Sequence, residues 1–199
     1  MSKAIVSSRA ANDGQEDDMK KLGFWIYLMT DCILFAGLFA TFIILRGNTY
    51  GGLSGHELFN MPFVLAETLL LLTSSFVCGL TVLGASRSLK RLTLVGLGLT
   101  FLLGAAFLTL ELSEFAHFAQ EGHGWWMSGF LSAFFTLVGT HGLHIAVGLL
   151  WILVMIWQII NKGFTRGVGR RLVLFSLFWH FLDIIWIFIF TIVYLMGVA

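Results

Sequence analysis

The sequence predicts an all-α integral membrane protein, a bundle of five transmembrane helices with the N-terminus in the cytoplasm and the C-terminus on the outer side. Composition, hydropathy and charge distribution predict it together. Of 199 residues, 58% are hydrophobic and 12% charged, against roughly a quarter charged in an ordinary soluble domain. Five uninterrupted apolar stretches, at about 22–45, 62–85, 92–113, 128–160 and 172–197, each supply the roughly 20 residues that cross a bilayer core. Of the 12 basic residues, Lys3, Arg9, Lys20, Lys21, Arg87, Lys90, Arg91, Lys162, Arg166, Arg170 and Arg171 fall on one side of such a bundle. Arg46 alone falls on the other, a decisive positive-inside bias.

The first 21 residues form a polar, cytoplasmic N-terminal tail, and 22–199 the transmembrane domain. The tail carries Asp13, Glu16, Asp17 and Asp18, unlike the basic start of a secretory signal, so the first span reads as a retained anchor. The second span starts at the single proline, Pro62, where a first helical turn tolerates the missing N–H. The connections, about 16 residues between spans 1 and 2 and about 11 between spans 4 and 5, leave no room for a soluble catalytic or nucleic-acid-binding domain. Cys32 and Cys78 lie inside spans and read as small hydrophobes. Trp25, Trp125 and Trp126 fall near span ends, as belt residues do.

Small residues recur at intervals of three or four: Ser75 and Gly79 in span 2, Gly96, Thr100 and Gly104 in span 3, Gly139 and Gly142 in span 4. Each set shares one helix face and lets a neighbouring backbone approach closely.

Ionisable residues inside the spans must face protein or water, because a carboxylate at the bilayer centre costs roughly 2.5–3.5 kcal/mol. At about 1.5 Å per residue, Asp31 lies about 15 Å beyond Lys21, and His180 and Asp183 about 14 and 18 Å beyond Arg171. His141 and His144 reach comparable depth in span 4, and Glu67 is shallower in span 2. Asp183 is expected to pair with His180 one turn back. Asp31 has no evident partner in its own span, so its carboxyl is expected to be neutral unless another helix supplies a cation.

Two histidine-bearing faces raise the question of a bis-histidine haem or a mononuclear metal between spans 4 and 5. The sequence argues against both. A di-iron bundle would want Glu-x-x-His pairs with further Glu on other helices, no HExxH is present, and the paired cysteines of a dinuclear copper centre are missing. Two classes of function remain: an accessory subunit packed on a larger membrane enzyme, or a small transporter or proton-conducting protein using Asp31, Glu67 and Asp183. The inverted repeats common in transporters are not evident.

The wording of the spans resembles a known family. FLSAFFTLVGTHGLHIAVGL from Phe130 to Leu149 and LFWHFLDIIWIFIFTIVYLMG from Leu177 to Gly197 look like two helices of subunit III of the haem-copper terminal oxidases. FWIYLMTDCILFAGLFATF from Phe24, PFVLAETLLLLTSSF from Pro62 and LELSEFAHF from Leu110 continue the likeness in order. The five-span form is similar to the branch serving bacterial cytochrome o ubiquinol oxidases, since members serving cytochrome c oxidases usually have seven spans; a cytochrome c oxidase subunit III is the alternative.

The resemblance implies a multi-pass protein of the bacterial inner membrane with a periplasmic C-terminus. It implies an accessory subunit of a proton-pumping ubiquinol oxidase of the aerobic respiratory chain, supporting assembly, lipid binding and proton uptake. No catalytic, cofactor or metal residue is expected in the chain, haem and copper being held by subunit I. Subunits I, II and IV, phospholipid, and ubiquinol as substrate of the complex are the implied partners. Asp31 occupies the place of the family's carbodiimide-reactive glutamate. Being shorter by a methylene, it need not share that reactivity. His141 and His144 match the GTHGLH word, and His180 and Asp183 match WHFLD. With Glu67 these are expected as interhelical polar contacts, and Glu111, Glu114, Trp25, Trp125 and Trp126 as lipid or interface contacts.

Overall fold

A computed structural model describes residues 2–47, 61–87, 89–120, 128–163 and 165–196. Five helices account for them: α1 (Ser2–Leu45), α2 (Met61–Ser86), α3 (Lys90–Gln120), α4 (Gly129–Lys162) and α5 (Arg166–Ile189), the last continued by a π-helical segment, Phe190–Leu195. All five are long and apolar enough to cross a membrane. Trp125 and Trp126, expected as belt residues, lie outside the described residues.

Local chemistry explains several boundaries. The Ser128 hydroxyl caps α4 by accepting the Leu131 N–H at 3.1 Å, and Thr165 caps α5 by accepting that of Val168 at 3.3 Å. Gly163 ends α4 at φ 70°, a conformation glycine adopts without steric penalty. Inside the helices, Thr68, Thr81 and Thr100 donate their hydroxyl hydrogens to the carbonyl four residues back. Hydrocarbon offers no partner, so each hydroxyl finds one in its own helix.

The chain divides into two compact units, residues 1–34 and 35–199. In the first, Lys21 pairs with Asp18 at 3.4 Å, and Trp25 is exposed near the start of the apolar stretch. The second unit contains the core, organised by two tryptophans a heptad apart on α5. The Trp179 indole N–H donates to Ser74 on α2 at 3.2 Å, and Ser74 in turn donates to the Thr100 carbonyl on α3 at 3.3 Å. A methyl group at Gly104 of α3 would lie 2.9 Å from the Trp179 ring, and one at Gly148 of α4 only 2.7 Å away. One fully buried side chain therefore ties four helices together. Two turns later, the Trp186 indole N–H donates to Thr68 on α2 at 3.1 Å. The pairs 179–74 and 186–68 run in opposite chain directions, so α2 and α5 are antiparallel neighbours.

Candidate functional site: a buried polar layer

At one end of the bundle, the start of α2 meets the end of α3 and the π-helical segment. Glu67, Glu111 and Glu114 are there 0%, 1% and 8% exposed and lie within electrostatic range of one another. Glu111 and Glu114 are three apart, so they share a face of α3. That face turns inward, so both carboxyls, expected as lipid or interface contacts, lie inside the bundle. Tyr194 donates its phenol to Glu114 at 3.1 Å. Glu111 rests on Gly142, where a methyl group would come within 2.7 Å of its carboxyl. No hydrogen-bond partner for Glu67 or Glu111 occurs among the described residues.

His141, fully buried, is held by aromatic rings. It stacks on Trp186 with centroids 5.3 Å apart and planes at 30°, while Phe107 meets it edge-on at 6.0 Å. Both its ring nitrogens lack a partner among the described residues. His144, one turn on, donates from Nδ1 to the Thr140 carbonyl at 2.7 Å, which fixes its tautomer.

The third group lies at mid-span. Ser75 of α2 is 3.1 Å from His180 Nδ1, and its hydroxyl also lies near the Asp183 carboxyl. His180 thus turns to a hydroxyl of another helix, and no hydrogen bond or ion pair joins it to Asp183 among the described residues. Cys78 lies within electrostatic range of Asp183. In α1, the Tyr27 hydroxyl, one turn before Asp31, lies close to its carboxyl. Span 1 thus offers Asp31 a polar neighbour; an i, i+4 phenol is easily read as one more lipid-facing aromatic.

His141 and His180 face different surroundings, one aromatic and one beside Ser75 and Gly79. Among the described residues, no three His, Cys, Asp or Glu side chains are grouped so as to hold a metal ion. Sequence reasoning missed Trp179, Trp186, Tyr194, Ser74 and Thr68. The heptad spacing of the tryptophans was the one available signal.

The Trp186–Thr68 hydrogen bond gives a first prediction. In a double-mutant cycle, Trp186→Phe and Thr68→Val should couple by about 0.5–1.5 kcal/mol, read from equilibrium unfolding in mixed micelles. Additive losses would show that the bond contributes nothing.

Fold and polar layer together define a polytopic helical membrane protein whose buried polar groups join helices to one another. The chain belongs to the cytochrome c oxidase subunit III family, whose sequence profile matches residues 10–198. It is 55% identical over 175 residues to cytochrome bo(3) ubiquinol oxidase subunit 3 of Pseudomonas aeruginosa, covering 88% of this chain and 84% of that protein. To the subunit of the same name from Buchnera aphidicola (subsp. Baizongia pistaciae) it is 48% identical, covering 89% and 92%. To cytochrome c oxidase subunit 3 of Bacillus sp. PS3 it is 46% identical, covering 92% and 89%. A relative bearing that last name, matched over most of its length, shows that a short chain does not by itself separate quinol from cytochrome c oxidases. The family favours an accessory oxidase subunit over a transporter.

Proposed function

We propose that the chain is the non-catalytic subunit III of a bacterial ubiquinol oxidase, packed beside subunits I, II and IV in the inner membrane. The observation that carries this reading is the 55% identity to the Pseudomonas aeruginosa ubiquinol oxidase subunit over 88% of the chain. Residues 1–21 are cytoplasmic, the five spans follow, and the C-terminus is periplasmic, as the basic residues require. Haem and copper belong to subunit I, which oxidises ubiquinol and reduces oxygen to water. This chain supports assembly and proton uptake, and holds phospholipid between its helices. Asp31, Glu67, His141, His144, His180 and Asp183 serve as interhelical polar contacts, with Trp25, Trp125 and Trp126 at the lipid interface.

The test is a mild-detergent pull-down of the tagged chain from its native membrane, with an absorption spectrum and a quinol-driven oxygen-uptake assay. Haem-bearing partners and quinol oxidase activity are expected in the eluate. A stable solitary protein would overturn the reading. Asp31 supplies a second test. Asp31→Asn keeps a polar group of the same size beside Tyr27, and should leave assembly and oxygen uptake nearly intact. Asp31→Lys puts an ammonium where a carboxyl is buried and should prevent assembly. Loss of turnover in an assembled Asp31→Asn complex would instead assign Asp31 a proton-carrying role.

A further inference from the structure

Among the described residues, His180 is the only histidine or charged side chain that is both exposed and near the middle of a span. Roughly 20 Å of helix separates it from either end of the segment Gly167–Leu195. Nδ1 is engaged by Ser75. Nε2 has no partner among the described residues, and it looks across Gly79, where a methyl group would sit 3.8 Å away. Ser75, Phe76, Gly79, Leu80 and His180 line an open recess of about 430 Å³, far more than the roughly 30 Å³ share of one water molecule. Its rim is apolar, with Phe76 and Leu80 both well exposed.

An exposed imidazole at that depth is unfavourable against lipid tails, which neither donate nor accept a hydrogen bond. Lipid headgroups are no remedy. They lie at the edge of a core about 30 Å thick, roughly 15 Å from its centre. What can reach mid-span and offer a donor or acceptor is another helix. Ser75 and Gly79, four apart, are the small residues that let a second backbone come close.

We propose that the face of α2 and α5 around Ser75, Gly79 and His180 is a docking site for a transmembrane helix of another oxidase subunit, one that presents a hydrogen-bonding side chain to His180 Nε2. The proposal rests on the function proposed above and adds the surface through which the subunit is held. The docked helix covers the imidazole, and the bond fixes its depth, since a slip of one turn would leave both polar groups in hydrocarbon.

The experiment places a benzophenone side chain at Phe76 or Leu80 of the tagged full-length chain, in its native membrane, with Leu143, exposed on α4 away from His180 and its recess, as reference. After irradiation, positions 76 and 80 should give a covalent adduct to a subunit of the oxidase, identified by peptide mass spectrometry, while position 143 yields lipid adducts. In a parallel measurement, His180→Leu should speed release of the subunit from the purified complex roughly three- to twentyfold, the range expected for an interhelical hydrogen bond. His180→Gln, which keeps a donor and an acceptor, should release it at nearly the native rate. The cross-linking variants retain His180, so they remain informative if His180→Leu fails to fold. Lipid-only adducts at 76 and 80, or an adduct to a second copy of this chain, would overturn the docking site. A chain that brings down no oxidase subunit would overturn the proposed function instead.

Discussion

Gly148→Val should expel this subunit from its complex, and Gly104→Val should do nearly the same. Both glycines lie against the Trp179 ring, from α4 and α3 respectively, at distances where even one methyl would clash. The ring has nowhere to go: it is fully buried, its N–H is tied to Ser74, and Phe175 packs 5.5 Å away. Overpacking a close-packed core costs about 1–3 kcal/mol, occasionally more, and valine brings two methyls beyond its β-carbon. Trp179→Ala should cost about 3–5 kcal/mol through the cavity it leaves. Gly98→Val is the control, since nothing lies within 4 Å of its missing β-carbon. The readout is the fraction of tagged subunit retained in the purified complex over a detergent series. Normal retention of Gly148→Val would mean that the helices can separate around Trp179 without penalty.

The second large effect concerns Glu111 and Gly142. Gly142→Ala places a β-carbon 2.7 Å from Glu111 Oε1, so the carboxyl must move inside a site that is 1% exposed. A loss of about 1–3 kcal/mol is expected. Glu111→Ala alone should cost less than an ordinary buried truncation, because the carboxyl oxygens have no partner among the described residues to leave orphaned. The double variant Gly142→Ala/Glu111→Ala should recover most of the loss, giving a coupling of about 0.5–3 kcal/mol in a double-mutant cycle. Simple additivity would show that the carboxyl swings aside freely.

The five helices were legible because a membrane span leaves a long, nearly charge-free run. Depth was legible too: counting rise per residue puts His180 and Asp183 near the middle of the bundle. Partners were harder to read. Ser75, which bonds His180, lies 105 residues from it, and nothing local in the sequence of α2 distinguishes it from Ser74, which bonds Trp179 instead. Glu111 falls at the very end of the apolar run of span 3 and Glu114 just past it, where an acidic residue ordinarily marks the membrane surface. The helix continues to Gln120, and the i, i+3 spacing turns both carboxyls inward. The small-residue faces were legible as close approaches, but not what approaches them: a tryptophan at Gly104, a carboxyl at Gly142, and a threonine hydroxyl at Gly96. Gly148, which the same tryptophan also meets, carried no such signal.

The π-helical segment governs the chain's rotational phase. From Phe190 to Leu195 the helix is wound one residue wider per turn, as the Met196 N–H reaching back to the Thr191 carbonyl shows. An α-helix advances about 100° per residue, so the wider winding takes up slack that would otherwise swing the last turn around the axis. Both Val193 and Tyr194 face inward as a result, and Tyr194 meets Glu114. The segment behaves as a gear with a set number of teeth. Substitutions at its outward positions leave the mesh unchanged, whereas loss of a single residue would rotate everything after it and carry the phenol away from the carboxyl it serves.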